Sequence, residues 1–140
     1  MNILILQGPN LNLLGLKSAQ MKERLTLDRL NKKIKTEVKL MDVRLKFLQT
    51  HKSFQAINFL QRNRNKATGL LFIPTSWART NYTILETINL LKLKTSVVYF
   101  EHPYNFGTGE NKSIIQGKNI KSFTGQPVSS CIEGIKRFLK

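Results

Sequence analysis

The sequence predicts an α/β protein with a parallel sheet of about five strands and helices on both faces. Short apolar runs alternate with longer segments whose apolar residues recur at helical spacing, and this alternation is typical of βαβ units. The runs at residues 2–7 and 69–73 are almost continuously apolar, as expected of strands that are buried on both faces. With 140 residues, 41% of them hydrophobic, the chain fits a single domain over residues 1–140.

The first half of the chain is expected to hold two strands and two helices. The strand at residues 2–7 ends at a Gly-Pro-Asn turn, and a loop follows over residues 10–24. Apolar residues at helical spacing predict a helix over about residues 26–41. Alternating apolar residues predict a strand over residues 43–49, and we expect Ser53 to cap the next helix.

The second half is expected to continue the same pattern. Its predicted elements are strands over residues 69–73, 96–100 and 119–123, a helix from about Thr80, a polar loop over 101–117 and a final helix from Pro127. Proline suits the first turn of a helix because that turn does not need its N–H. The functional crevice of a parallel sheet lies at the carboxyl ends of the strands. We therefore expect residues 8–24, 74–80 and 101–112 to line it.

The chain is strongly basic, with 23 Lys+Arg against 8 Asp+Glu and a net charge of +15. Charge bears on partners rather than on fold, so a nucleic acid, an acidic protein or a small anion is a candidate partner. Biased genome usage explains the charge equally well. Lys32, Lys35 and Lys39 recur at helical spacing and could contact phosphates. A solvated helix face would show the same stripe.

Several kinds of protein are not supported by the sequence. Cys131 is the single cysteine, which excludes an internal disulfide framework and a cysteine zinc site, and its apolar surroundings favour a core role. His51 and His102 lack the spacing of metal ligands, so we expect neither a metal nor a cofactor. No apolar run approaches the ~20 residues of a membrane span, and a cytoplasmic protein is the simplest expectation.

The opening residues carry a specific resemblance. Residues 1–15 read Met-Asn-Ile-Leu-Ile-Leu-Gln-Gly-Pro-Asn-Leu-Asn-Leu-Leu-Gly, and Thr-Leu-Asp follows at residues 26–28. This resembles type II 3-dehydroquinate dehydratases over essentially all 140 residues. The resemblance implies a flavodoxin-like three-layer sandwich, assembled as a homo-oligomer of three or twelve chains. It also implies the trans dehydration of 3-dehydroquinate to 3-dehydroshikimate in the shikimate pathway.

That reaction needs a base beside the carbonyl and an acid for the leaving hydroxyl, and most of the corresponding positions are changed. The resemblance places Asn10 at the asparagine that polarises the carbonyl. It places Lys17 at the lid arginine and Lys22 at the tyrosine that acts as the base. Glu101 stands at the histidine acid, whereas an alignment shifted by one residue would place His102 there.

The positions implied to bind substrate are changed as well. Ile73 stands where the family has an asparagine, and Arg79 where it has a histidine. Pro103 stands where a serine N–H binds the substrate carboxylate, and proline has no N–H. Lys112 keeps the positive charge of the arginine that the family has at this position. It lacks the planar guanidinium that binds a carboxylate through two hydrogen bonds.

Our preferred hypothesis is a non-catalytic relative that uses the fold to bind an anionic ligand or a nucleic-acid-containing partner. The residues expected at the ligand are Asn10, Lys17, Lys22, Arg79 and Lys112. A decayed pocket with solvated cations would explain these residues equally well. Three rival hypotheses for the whole chain are a divergent but active 3-dehydroquinate dehydratase, a new chemistry that uses Lys22 and Glu101, and a structural subunit of a larger complex.

Overall fold

A computed structural model of the chain describes residues 1–139. Its five strands form one all-parallel sheet in the order β2-β1-β3-β4-β5, which confirms the predicted fold class. The strands are β1 Asn2–Gln7, β2 Arg44–Gln49, β3 Gly69–Ile73, β4 Thr95–Phe100 and β5 Ile120–Gly125. The strand order leaves β2 and β5 at the two edges of the sheet.

Helices cover both faces of the sheet. They are α1 Leu14–Lys17, α2 Leu27–Glu37, α3 Ser53–Asn63, α4 Trp77–Thr80, α5 Tyr82–Leu91 and α6 Pro127–Lys136, with 3-10 turns at Leu11–Leu13 and Glu110–Lys112. Helices α2 and α6 pack on one face, and α3 and α5 pack on the other. In the described residues, no helix is both long enough and apolar enough to cross a membrane.

The central strand β1 shows how the sequence divides the core into two layers. Ile3 and Ile5 are buried under α2 and α6, while Leu4 and Leu6 are buried under α3 and α5. Successive side chains of a strand point to opposite faces of the sheet. A strand that is covered on both faces therefore has to be apolar at every position, as the run at the start of the chain is.

Two details of the helices differ from the prediction. The prediction that Ser53 caps α3 is wrong, because Lys52 holds the cap position and Ser53 is the first helical residue. The Ser53 hydroxyl instead accepts a hydrogen bond from the Asn81 amide at 3.0 Å. The helix expected from about Thr80 is interrupted at Asn81, whose Oδ1 accepts from the Ile84 N–H at 3.0 Å and so begins α5.

The fifth strand extends further than the predicted residues 119–123. It ends at Gly125, which pairs with Phe100 at the end of β4. Pro127 then begins α6 as predicted, and Cys131, Ile132 and Ile135 are buried against the sheet. The carboxyl ends of β4 and β5 therefore lie level with each other at the edge where the candidate site is formed.

Candidate functional site

The chain leaves β1 and β3 at points that touch each other. The Gly8 N–H donates to the Ile73 carbonyl at 2.8 Å, and a Cβ atom on Gly8 would lie 2.3 Å from the Pro74 oxygen. Only glycine permits so close an approach of two backbones. Thr75 adopts the left-handed region at φ 52°, and its hydroxyl donates to the Pro9 carbonyl at 2.7 Å. These contacts hold the first two predicted loop segments together.

Asn10 follows directly on this path. Its φ of 69° is left-handed, a conformation that asparagine tolerates better than most residues. Its side chain is exposed and makes no capping hydrogen bond to the 3-10 turn at Leu11–Leu13. The amide is therefore presented to solvent beside the strand ends, and its role in binding stays a prediction.

The loop between β1 and α2 is closed by its own residues. The Arg24 Nε donates to the Gly15 carbonyl at 2.9 Å. The buried Ser18 hydroxyl accepts from the Leu25 N–H at 2.9 Å and lies 2.8 Å from the Leu25 carbonyl. Lys22 lies between the residues that form these hydrogen bonds, and its side chain is exposed. The position that the resemblance assigns to the base therefore lies on a loop that hydrogen bonds hold at both ends.

The cavity at the strand ends is almost filled. Its volume is about 10 Å³, roughly the minimum that one water molecule requires. The Phe106 ring from the long loop after β4 forms one wall, and the Lys17 ammonium lies 5.7 Å from the centroid of that ring. This distance suits a cation–π interaction. The complete lining is Ile73, Thr75, Val98, Tyr99, Phe100, Phe106 and Thr108.

Three polar groups stand out at or near this edge. Among the described residues, the buried Thr108 hydroxyl and the buried Gln7 Oε1 have no hydrogen-bond partner. Burial raises the pKa of Tyr99, whose hydroxyl donates to the Ser113 hydroxyl at 2.6 Å. Thr108 lies in the segment 101–112 that was expected to line the crevice, whereas sequence reasoning missed Tyr99 as a cavity residue.

The two candidates for the acid position lie beside β5. The Glu101 N–H donates to the Gly125 carbonyl at 2.9 Å, and its Oε1 lies 3.6 Å from where a Cβ of Gly125 would be. His102 is exposed, and its carbonyl accepts from the Gln126 amide at 3.3 Å. Neither residue lines the strand-end cavity.

The predicted ligand residues do not line the cavity either. Arg79 lies on α4, Lys112 lies in the 3-10 turn at Glu110–Lys112, and both are exposed like Lys17 and Lys22. Through Phe106, Lys17 is brought into contact with the cavity wall. Binding of an anion by these residues stays a prediction.

A larger groove of about 490 Å³ lies beside the loop, between α2 and α6. The Tyr104 hydroxyl, which sequence reasoning missed, lines this groove and donates to the Glu23 carbonyl at 3.4 Å. The charged lining residues are Arg24, Lys33 and Lys136 against Glu23, Glu37 and Glu133. The balanced charge does not favour an anion here. Within residues 1–139, no three His, Cys, Asp or Glu side chains are grouped as metal ligands would be.

The five-stranded parallel sheet, with helices on both faces and loops that converge at the strand ends, defines a three-layer α/β sandwich protein. The chain belongs to the family described as dehydroquinase class II, whose family model matches residues 1–139.

Relatives and solved structures agree with this assignment. A protein named 3-dehydroquinate dehydratase from Clostridium botulinum is 26% identical over 124 residues, which cover 89% of this chain and 84% of the relative. A protein of the same name from Endomicrobium trichonymphae is 23% identical over 137 residues, which cover 98% and 96%. The crystal structure of a type II dehydroquinase from Butyrivibrio crossotus matches with a TM-score of 0.84 at 20% identity, covering 100% of this chain and 98% of that one.

Proposed function

We propose that this member of the dehydroquinase class II family binds an anionic ligand at the carboxyl ends of its strands. We propose also that it does not catalyse dehydration at an ordinary rate. One observation carries the proposal: the strand-end cavity measures about 10 Å³ and is walled by Phe100 and Phe106. A space that barely admits one water cannot take a six-membered ring that carries a carboxylate. A substrate that entered this cavity would have to displace the Phe106 ring and the Lys17 ammonium that covers it.

The chemistry at the replaced positions supports the same proposal. A positioned general acid or base contributes roughly 10²–10⁴ in rate. Lys22 stands exposed where the resemblance expects the base, and Glu101 lies against the end of β5 rather than in the cavity. Losing both contributions together would leave little of the family's rate enhancement.

The expected ligand site is the surface formed by the loops that follow the carboxyl ends of the strands. Asn10, Lys17 and Lys22 lie on the segment after β1, Arg79 follows β3, and Lys112 follows β4. All five side chains are exposed, so an anion could reach them without entering the core. A ligand with several acidic oxygens fits such a set better than an apolar one.

Dehydration of 3-dehydroquinate is the second candidate function, and the names of the relatives favour it. Proteins named 3-dehydroquinate dehydratase match 89% or more of this chain, and the family model spans residues 1–139. In this chain, Asn10 would polarise the carbonyl and the exposed His102 would serve as the acid.

A dehydration assay separates the two candidates. Purified, folded protein is mixed with 3-dehydroquinate, and the conjugated enone of the product is followed by absorbance. The non-catalytic proposal expects no rate above background. The second candidate expects turnover that falls roughly 10²-fold or more in His102→Ala, with little change in His51→Ala, which removes the other of the two histidines.

A binding measurement tests the anion separately. Quinate, a polyhydroxy carboxylate, is titrated by calorimetry into the wild-type protein and into Lys17→Gln/Lys22→Gln. We expect weaker binding in the double variant because two cations are removed. Absence of quinate and inorganic phosphate binding to the wild type would contradict the proposed ligand site, whatever the activity assay shows.

A further inference from the structure

The edge strand β2 carries a basic surface that is separate from the strand-end cavity. In the described chain, β2 pairs with β1 on one side and with no strand on the other. Arg44 and Lys46 are exposed on this strand. The N–H groups of Arg44 and Thr50 point inward to the carbonyls of Met1 and Gln7, so by strand alternation the N–H groups between them at odd positions point outward.

Two adjoining grooves run along this edge, with volumes of about 380 and 550 Å³. Lys46, Asn63 and Lys66 line both grooves, which makes them one continuous depression. Arg44 and Arg62 bring the number of basic lining residues to four. Over the described residues, none of the side chains that line either groove is acidic.

The floor of the depression is neither charged nor wholly polar. Phe59 and Leu48 line it as half-buried side chains. Asn58 and Gln55 add amide groups that can both donate and accept hydrogen bonds. Lys46 already uses one such amide, donating to Asn63 Oδ1 at 3.0 Å.

Positive charge continues around the edge onto the other face of the sheet. The Lys35 ammonium of α2 lies 5.2 Å from the centroid of the Phe47 ring on β2. Lys32 is instead within 3.5 Å of the Asp28 carboxylate, one helical turn earlier. Lys35, a member of the predicted basic stripe, therefore lies at the β2 edge.

From this arrangement we infer that the β2 edge, defined by Arg44, Lys46, Arg62 and Lys66, is a binding surface for single-stranded nucleic acid. Cations that follow a groove neutralise a phosphate backbone, while aromatic and amide groups on the floor meet unpaired bases. A duplex fits less well, because its bases are stacked inside and cannot reach the floor of a depression. A second copy of the chain would bring like charges together across the same edge.

The surface goes beyond the proposed function, because none of its residues lines the strand-end cavity. Each phosphate contact adds about 0.7 to the slope of log affinity against log salt for single strands. Four contacts give a slope of about −3. Removing two of the cations should therefore weaken both the affinity and its salt dependence.

The test measures fluorescence anisotropy of a labelled single-stranded oligonucleotide of about 16 nucleotides, the upper end of typical site sizes. The variant is Arg62→Glu/Lys66→Glu, two exposed residues at the end of α3 and just beyond it. The matched control is Lys94→Glu/Lys118→Glu, which makes the same change in net charge at two exposed residues before β4 and β5. Circular dichroism checks that both are folded, and Arg62→Gln/Lys66→Gln replaces the first variant if it is not.

We expect the edge variant to bind about tenfold or more weakly and to lose roughly 0.7 units of salt slope per removed cation, while the control changes less than about twofold. Equal losses in the two variants would overturn the inference, because binding would then follow net charge alone. No binding by the wild type, or equal competition by a duplex or by polyglutamate, would overturn it as well.

Discussion

Gly8 shows how one residue determines the backbone geometry at the carboxyl ends of the strands, where the candidate site lies. A Cβ atom there would lie 2.3 Å from the Pro74 oxygen, so Gly8→Ala must push the exits of β1 and β3 apart. We expect the free energy of unfolding to fall by about 1–3 kcal/mol, as overpacking typically costs. Urea denaturation measures this change.

Gly107→Ala is the matched control for Gly8→Ala. A Cβ atom on Gly107 would meet nothing within 4 Å, and its φ is not positive. Its effect on the free energy of unfolding should stay within about 0.5 kcal/mol. Similar losses in the two variants would show that the contact with Pro74 is not what requires glycine at residue 8.

Cys131 is fully buried in the core on the α2 and α6 side. Burial raises the pKa of its thiol well above the ordinary value, because a thiolate cannot be solvated there. We expect no reaction with an aromatic disulfide reagent in the folded protein and complete reaction in guanidinium. Rapid labelling of the folded protein at neutral pH would contradict the buried position.

The same thiol makes stability depend on pH in a defined direction. Since the pKa of Cys131 is higher in the folded chain than in the unfolded one, the unfolded chain releases its proton first as pH rises. The contribution of the Cys131 thiol to the free energy of unfolding is constant below the pKa of a thiol in the unfolded chain, about 8.5. Above that pH, the free energy of unfolding falls. Cys131→Ala should lose this part of the pH dependence, measured by urea denaturation at several pH values.

At the scale of elements, Asn81 joins the starts of two helices. Its Oδ1 accepts from the Ile84 N–H to cap α5, and its amide donates to Ser53 at the start of α3. Asn81→Ala should cost about 1–2 kcal/mol of unfolding free energy. Asn81→Asp, which keeps the capping acceptor, should recover part of that loss.

Asn65→Ala is the control for the cap, because it makes the same substitution at an exposed residue outside the helices. Its melting temperature should stay close to that of the wild type. An equal fall in the melting temperatures of Asn65→Ala and Asn81→Ala would argue against a specific role for the cap.

The elements that the sequence predicts best are those whose signal is contained in their own residues. The strand at Gly69–Ile73 is continuously apolar, and its predicted bounds are the observed ones. The start of α3 cannot be placed in the same way. The Thr50 hydroxyl accepts from the Lys52 N–H at 3.0 Å, and this turn moves the cap away from Ser53.

For the whole molecule, the resemblance implies an assembly of three or twelve chains. Leu40, Phe54 and Leu90 are strongly exposed on the single chain, at 99%, 62% and 75%, and burying apolar side chains between chains would stabilise an assembly. Light scattering should therefore give a mass of three or twelve chains. Added salt should favour the assembly, because it screens the repulsion between chains of charge +15. A monomer at all salt concentrations would contradict this prediction.

The sequence by itself determined the parallel α/β fold and the family. Strand and helix periodicities, and a signature such as Gly-Pro-Asn-Leu-Asn at residues 8–12, depend on residues that are neighbours along the chain. The resemblance also predicts which family positions are replaced, including those at Lys22 and Pro103.

Only the tertiary structure decided what surrounds those positions. Phe106 lines the strand-end cavity, and the ammonium of Lys17, which lies far away in the sequence, stacks on its ring. The strand order places β2 at an edge, where Lys46 of that strand meets Lys66 from beyond α3. A cavity and an edge are made by contacts between distant segments. Their shape therefore follows from how the sheet is ordered rather than from any local pattern of residues.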